Sequence, residues 1–161
     1  MNMLLISTDS QAQNLWWLSE YPDFIKFLSK APQKTLKTSY KAGPKGEQEV
    51  FLIVSLQSKQ KLVLTTKLPK EAMSTIDEKT GKRIPDSVGT DIIIRDNNLD
   101  GMLNDFKMEP GQPPKGAILT NDGFMKFTGS KEDKVMLLQW MVGIGYCINH
   151  YLHGIDWPFP K

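Results

Sequence analysis

The sequence Val-Phe-Leu-Ile-Val-Ser-Leu at residues 50–56 is apolar and rich in β-branched side chains, and charged or amide residues stand on both sides of it. A short run of this kind is typical of a strand whose two faces are both covered. We therefore predict a strand at residues 49–57 and place it at the centre of a sheet.

The segments on either side of this central strand alternate with a period of two. Leu36, Thr38 and Tyr40 fall on one side of a predicted strand, and the turn sequence Gly-Pro-Lys-Gly at 43–46 joins it to the central one. Residues 61–67 repeat the alternation after a second turn. The three segments together predict an antiparallel meander.

Other elements are predicted before and after this meander. A first helix runs through residues 15–18 with Asp9 or Ser10 as its cap, and a second runs from Pro22 to Lys30, because proline suits a first turn. The later segments predict one or two helical turns at 69–76, a loop or protruding hairpin at 77–90, a strand at 91–95, a short helix or strand at 99–108, and a hairpin at 117–127 around Asn-Asp-Gly.

The last element is a long apolar helix that begins after Ser130 and ends near Leu152, before Gly154. Apolar residues cover more than half of its circumference, so we expect it to be almost fully enclosed. Residues 135–152 carry no formal charge and reach the minimum length of a membrane span. Polar residues inside the segment, such as Gln139, favour a core helix instead, or a helix that stays half-exposed until it meets a partner or a second copy.

This order of elements predicts an α+β domain: an antiparallel sheet of about five to six strands, with N-terminal helices and the long C-terminal helix packed on it. No internal repeat or low-complexity tract divides the chain, so we expect one domain over residues 1–161. Cys147 is the only cysteine, which excludes an intrachain disulfide, and residues 1–8 lack the pattern of a signal peptide. Both observations favour a cytoplasmic protein.

One segment matches the first half of a calcium-binding loop. Asp96, Asn98 and Asp100 alternate as oxygen donors, and Gly101 supplies the sharp turn. The twelfth position should be a bidentate glutamate and is Lys107, a cation. We therefore predict an ordinary turn rich in aspartate and asparagine.

Cys147, His150 and His153 are spaced by three residues, which suggests a metal site or a cysteine nucleophile. A zinc site needs three or four ligands, and only Asp156 is close enough in sequence to help. Burial within an apolar helix would also raise the pKa of the thiol, which makes it a poor nucleophile. No phosphate loop, serine elbow or zincin helix is present, so we predict no catalytic residue, no metal and no cofactor.

Charge is unevenly distributed along the chain. Residues 24–70 contain ten lysines against two glutamates, and the two arginines, Arg83 and Arg95, lie outside this segment. We predict that the segment binds an acidic protein, although lysines also occur on edge strands simply as solvated residues. Nucleic acid is disfavoured because arginine, which forks onto guanine and phosphate, is missing. The candidate partner-binding residues are Lys34, Lys37, Lys41, Lys45, Lys59 and Lys61.

The order of elements is similar to that of the small secretion chaperones, which bind effector segments as dimers, although no motif is shared. Our leading hypothesis is a non-enzymatic protein-binding or adaptor domain, chaperone-like or inhibitor-like, that forms a homodimer. The alternative is a small apolar-ligand carrier or small enzyme. Its pocket would lie between the sheet and the C-terminal helix, lined by Trp140, Tyr146 and His150, because a polar and glycine stripe on that helix can face a cavity.

Overall fold

A computed structural model of the chain describes residues 15–43, 45–58, 60–70, 74–85, 89–131 and 133–159. These residues form two α-helices and eight strands. The strands are β1 (Thr35–Ala42), β2 (Gln48–Gln57), β3 (Lys61–Leu68), β4 (Ser74–Ile76), β5 (Arg83–Pro85), β6 (Thr90–Asp96), β7 (Asp105–Glu109) and β8 (Met125–Lys126). The helices are α1 (Tyr21–Ser29) and α2 (Asp133–Ile148).

Six strands form one antiparallel sheet in the order β1-β2-β3-β6-β7-β8, and β4 pairs with β5 as a separate hairpin between β3 and β6. The register brings Leu36 opposite Val54 and Leu64 opposite Ile94. Because opposed residues in an antiparallel pair share a face, these side chains line the same side of the sheet. The predicted α+β fold is therefore confirmed.

Both helices pack on that side, which we call the inner face, and the core lies between them and the sheet. Phe24 and Leu28 of α1 and Trp140 and Ile144 of α2 are fully buried there. The alternate residues of the strands point to the opposite, outer face. The inner face therefore carries the helices, and the outer face carries both charged side chains and apolar ones such as Phe51 and Val63.

Strand β2 differs from its prediction in two ways. It is the second strand from the edge rather than the central one, and helices cover only its inner face. Val50, Leu52 and Val54 are buried, whereas Phe51 on the outer face is 49% exposed. An apolar run shows how hydrophobic a strand is, but it does not determine whether the rest of the chain covers one face of the sheet or both.

Several local predictions can be compared with the structure. The strands at 35–40, 61–67 and 91–95 are confirmed as parts of β1, β3 and β6. The hairpin at 117–127 is confirmed by the bridge between Leu119 and Met125. The helical turns expected at 69–76 are wrong at Ser74–Ile76, which pairs with Arg83–Pro85 as a strand. The caps of the first predicted helix, Asp9 and Ser10, lie outside the described residues, and the described end of that segment is a 3-10 turn at Leu18–Glu20.

Helix α2 begins and ends close to its predicted limits. The Asp133 N–H group lies 3.4 Å from Ser130 Oγ, and a π-helical turn, Asn149–His153, continues the helix to Gly154 at φ 68°. Enclosure is incomplete, since Val135 and Leu138 in the first turns are exposed. The second half of the helix is the part enclosed by the sheet and the N-terminal segment.

Two glycines allow α2 to approach its neighbours closely. A Cβ atom on Gly143 would lie 2.7 Å from Leu64 Cδ2, and one on Gly145 would lie 2.4 Å from Trp16 Cζ2. Both distances are too short for real carbon atoms. Gly143, the glycine of the predicted polar and glycine stripe, is thus packed against the sheet and leaves no space for a pocket at that point.

Candidate functional site

The outer face of the sheet carries lysines that are neutralised by carboxylates on the same face. The pairs are Lys41–Glu49 at 2.8 Å, Lys67–Asp91 at 2.8 Å and Lys107–Glu109 at 2.7 Å. The first two pairs join residues directly opposite each other on neighbouring strands. Cross-strand pairing therefore cancels much of the positive charge that the sequence places on this face.

The lysines between α1 and β1 have different surroundings. Lys26 lies on α1, Lys30 directly follows the helix, Lys34 ends a 3-10 turn and Lys37 lies on β1. All four are exposed, and within the part of the chain that the structure describes none has a carboxylate oxygen within 4.0 Å of its ammonium group. We call these four residues the lysine corner.

The six lysines predicted to bind a partner are not brought together. Lys34 and Lys37 belong to the lysine corner, and Lys41 is held by Glu49. Lys45 lies in the turn at the other end of β1, and Lys61 starts β3 opposite Gln57. Lys59 lies outside the described residues. The lysine corner also contains Lys26 and Lys30, which were not among the six predicted partner-binding residues.

A groove opens beside the lysine corner, at the edge of the sheet, and we call it the corner groove. Its volume is about 540 Å³. The lining residues are Asp23, Lys26, Phe27, Lys30, Ala31, Pro32, Leu36 and Leu152. The floor is apolar, and the charged groups in the lining are two lysines and one aspartate.

Local structure explains why the groove has an aromatic wall. Tyr21, Phe24 and Leu28 are buried on the inward side of α1, so Phe27 is turned away from that stripe and is 40% exposed. Its ring contacts Tyr151, with the ring centroids 5.6 Å apart. The sequence patterns did not single out Phe27, although its spacing from that stripe was a usable signal.

The backbone at the edge of β1 is partly occupied at this point. The Tyr151 hydroxyl donates a 2.6 Å hydrogen bond to the Lys37 carbonyl oxygen. Since β1 is a terminal strand of the sheet, this hydroxyl occupies an acceptor on an edge strand.

Of the three residues predicted to line the alternative pocket, Trp140 lies apart from the other two. Trp140 is fully buried, and its Nε1–H group donates to the Gly101 carbonyl oxygen at 2.9 Å. Tyr146 and His150 are brought together with their rings stacked 5.8 Å apart, and His150 Nδ1 lies 2.6 Å from Asp156 Oδ1.

Tyr146 also lines a second hollow of about 380 Å³, which we call the aromatic hollow. Its other lining residues are Ser39, Tyr40, Lys41, Asp156, Trp157 and Pro158. Burial raises the pKa of both Tyr40 and Tyr146. Their hydroxyl groups therefore remain protonated at neutral pH and can donate hydrogen bonds.

At the N-terminal end of α1, the polar groups form hydrogen bonds within the protein. Asp96 is fully buried, and its Oδ2 accepts hydrogen bonds from the Tyr21 hydroxyl and the Gly101 N–H group, both at 2.7 Å. Burial raises the pKa of Asp96 and also the pKa of Tyr21. The turn at 96–101 thus directs its first carboxylate into the core.

A second polar cluster joins β6, β7 and the last hairpin. Arg95 donates to Asp105 and Asp122, each at 2.5 Å, and its guanidinium carbon lies 3.6 Å from the centre of the Phe124 ring. Hydrogen bonds from Arg95 and Thr120 lower the pKa of Asp122. This arginine is therefore fully engaged within the fold.

The residues considered for metal binding or nucleophilic catalysis are also accounted for. Cys147 is buried, and burial raises the pKa of its thiol to about 12. His153 is hydrogen-bonded to Glu20, as His150 is to Asp156. Among the described residues, no three His, Cys, Asp or Glu side chains are arranged to hold a metal ion.

Comparison of the chain with models of protein families, with curated proteins and with solved structures finds no match. Among the described helices, none is both long enough and apolar enough to cross a membrane. Function is therefore inferred from the fold and from the surfaces of the molecule.

Proposed function

We propose that the protein is a non-enzymatic protein-binding or adaptor domain, and that it engages an acidic partner through its lysine-rich segment. The observation that carries the proposal is the contrast between the lysine corner and the outer face. Three lysines of the outer face, Lys41, Lys67 and Lys107, have carboxylate partners at 2.7–2.8 Å, whereas the four corner lysines have none among the described residues. Positive charge that is not neutralised within the protein attracts an oppositely charged partner.

The chemistry of the corner favours a protein over a nucleic acid. Residues 23–37 contain four lysines and one aspartate but no arginine, and the Arg95 guanidinium is taken up by Asp105 and Asp122. Lysine is a point charge that tolerates many carboxylate geometries, whereas bidentate recognition of guanine and phosphate favours the planar fork of arginine. We place the protein in the cytoplasm, since its single cysteine is a buried thiol.

The test is a pull-down from the source cell's lysate, with and without nuclease, using two variants that each remove three charges. The corner variant carries Lys30→Gln, Lys34→Gln and Lys37→Gln. The control variant carries Lys41→Gln, Lys67→Gln and Lys107→Gln, the lysines already paired with carboxylates.

We expect a defined, nuclease-resistant acidic protein with the control bait at about 0.05 M salt. It should be lost with the corner bait and also at about 0.5 M salt, because screening shortens the reach of surface charges. Recovery of the same proteins with both baits would contradict the proposal. Cross-linking of the purified protein alone tests the proposed homodimer separately.

A second candidate function rests on the aromatic hollow. Its volume of about 380 Å³ lies within the usual range for ligand sites, roughly 300–1,000 Å³, and Tyr40, Tyr146 and Trp157 contribute aromatic surface. A small carrier would bind a flat apolar molecule there, beside the His150–Asp156 pair. Native mass spectrometry of the freshly purified protein should then detect a co-purified ligand that is lost in the variant Tyr146→Ser.

A further inference from the structure

The corner groove combines an apolar floor with a basic rim. Phe27, Ala31, Pro32, Leu36 and Leu152 supply the apolar surface, and Lys26 and Lys30 stand at the edge with one opposing carboxylate, Asp23. A cleft of this composition suits an apolar group that is accompanied by negative charge. An apolar floor alone would not select for negative charge, and a basic rim alone would not select for an apolar group.

We infer that the corner groove receives one large apolar side chain from a short acidic segment of the partner, an inference that rests on the proposed function. The apolar anchor fills the space between Phe27 and Leu152, and carboxylates on both sides of it face Lys26 and Lys30. Buried aromatic or aliphatic anchors usually supply most of the energy of such contacts, and the surrounding charges supply specificity and rate of encounter.

The segment does not add to the sheet as a further strand. β1 is an edge strand, and strand addition would need its outward carbonyl groups free. The Lys37 carbonyl oxygen already accepts the Tyr151 hydroxyl, whose ring in turn packs against Phe27. Side-chain insertion into the groove leaves this hydrogen bond undisturbed, whereas an added strand would crowd the Tyr151 hydroxyl at the same oxygen.

The experiment uses three short blocked peptides and the ¹⁵N-labelled full chain. The first is acetyl-Glu-Glu-Phe-Leu-Glu-Glu-amide, the second replaces Phe-Leu by Ser-Ser, and the third replaces the glutamates by lysines. Titration is followed by amide chemical shifts. We expect the first peptide to shift residues 26–36 and Leu152, and to bind at least tenfold more tightly than either of the others.

Two variants with unchanged charge separate the groove from the lysines. Ala31→Leu places a larger side chain in the groove, and Ala117→Leu makes the same change in the last hairpin. Thermal melting first confirms that both variants fold. Ala31→Leu should weaken binding of the first peptide at least tenfold, whereas Ala117→Leu should leave it unchanged.

The possible failures have distinct meanings. Equal binding of the Ser-Ser peptide, still dependent on the corner lysines, would overturn the groove inference and leave the proposed function standing. Absence of binding by every acidic peptide, together with identical pull-downs by the corner and control variants, would overturn both. Shifts at the groove that depend on protein concentration without peptide would mean that a second copy fills it, and would also overturn the inference.

Discussion

The two ends of helix α1 face opposite kinds of surroundings. At its start, the Tyr21 hydroxyl is locked to the buried Asp96 carboxylate, which also holds the Gly101 N–H group. At its end, Lys26 and Lys30 stand in solvent beside an open apolar groove. Polar groups that are satisfied inside the protein maintain its structure, whereas groups without an internal partner are the ones available to another molecule.

The largest expected effect is the loss of stability caused by Asp96→Ala, which removes the buried carboxylate at the start of α1. The substitution leaves two buried donors, the Tyr21 hydroxyl and the Gly101 N–H group, without an acceptor. Each orphaned donor costs about 1–3 kcal/mol, so we expect the free energy of unfolding to fall by about 4 kcal/mol. Urea denaturation followed by tryptophan fluorescence measures this change.

Asp100→Ala is the matched control, because Asp100 belongs to the same turn but is exposed, and it accepts hydrogen bonds from the Met102 N–H group and the Asn98 side-chain amide. Its expected cost is about 0.5 kcal/mol. Equal decreases in the free energy of unfolding would show that the buried hydrogen bonds of Asp96 do not stabilise the start of α1. Adding Tyr21→Phe to Asp96→Ala should recover part of the loss, since it removes one of the two orphaned groups.

A smaller effect, with a definite pH dependence, is expected for Asp122→Asn. Arg95 and Thr120 lower the pKa of Asp122 in the folded protein, whereas the pKa of an aspartate in the unfolded chain is about 3.9. The stabilisation is therefore complete above the unfolded pKa and is lost as the pH falls toward the folded one.

Melting temperatures of the wild type and of Asp122→Asn, measured from about pH 7 to about pH 2, test this sign. The wild type should melt higher at neutral pH, and the gap should narrow below about pH 4. A repeat at about 0.5 M salt checks that general charge repulsion in acid does not cause the narrowing. A gap that stays constant down to about pH 2 would show that the Arg95–Asp122 pair does not stabilise the fold.

Much of the fold could be predicted because the signals are local. The β-branched run at 92–94 and the alternation at 61–67 each determine a strand without reference to distant residues. The strand Ser74–Ile76 was missed because it exists only through its pairing with Arg83–Pro85. The place of β2 in the sheet was also missed, since strand order depends on which later segments return to the meander.

The candidate site was predicted less well, for a related reason. Composition identified the lysine-rich segment, but whether a lysine is neutralised depends on its cross-strand neighbour, as with Lys41 and Glu49. That pairing follows from the register, which the turn at 43–46 sets. The corner groove needs Leu152, which lies more than a hundred residues along the chain from Phe27, so no local pattern could reveal it.

The smallest expected effect concerns the stability of the corner variant and the control variant. Removing Lys41, Lys67 and Lys107 deletes three surface ion pairs, each worth about 0.2–1 kcal/mol, so we expect a loss of about 1 kcal/mol at low salt. Removing Lys30, Lys34 and Lys37 deletes charges that repel one another, so stability should stay the same or rise by about 0.5 kcal/mol. The difference should shrink at about 0.5 M salt, because screening weakens both the attraction and the repulsion. Urea denaturation at the two salt concentrations measures it. Equal losses in both variants would mean that the corner lysines already have partners within the chain, and a charged partner protein would then have no more reason to bind at the lysine corner than on the outer face.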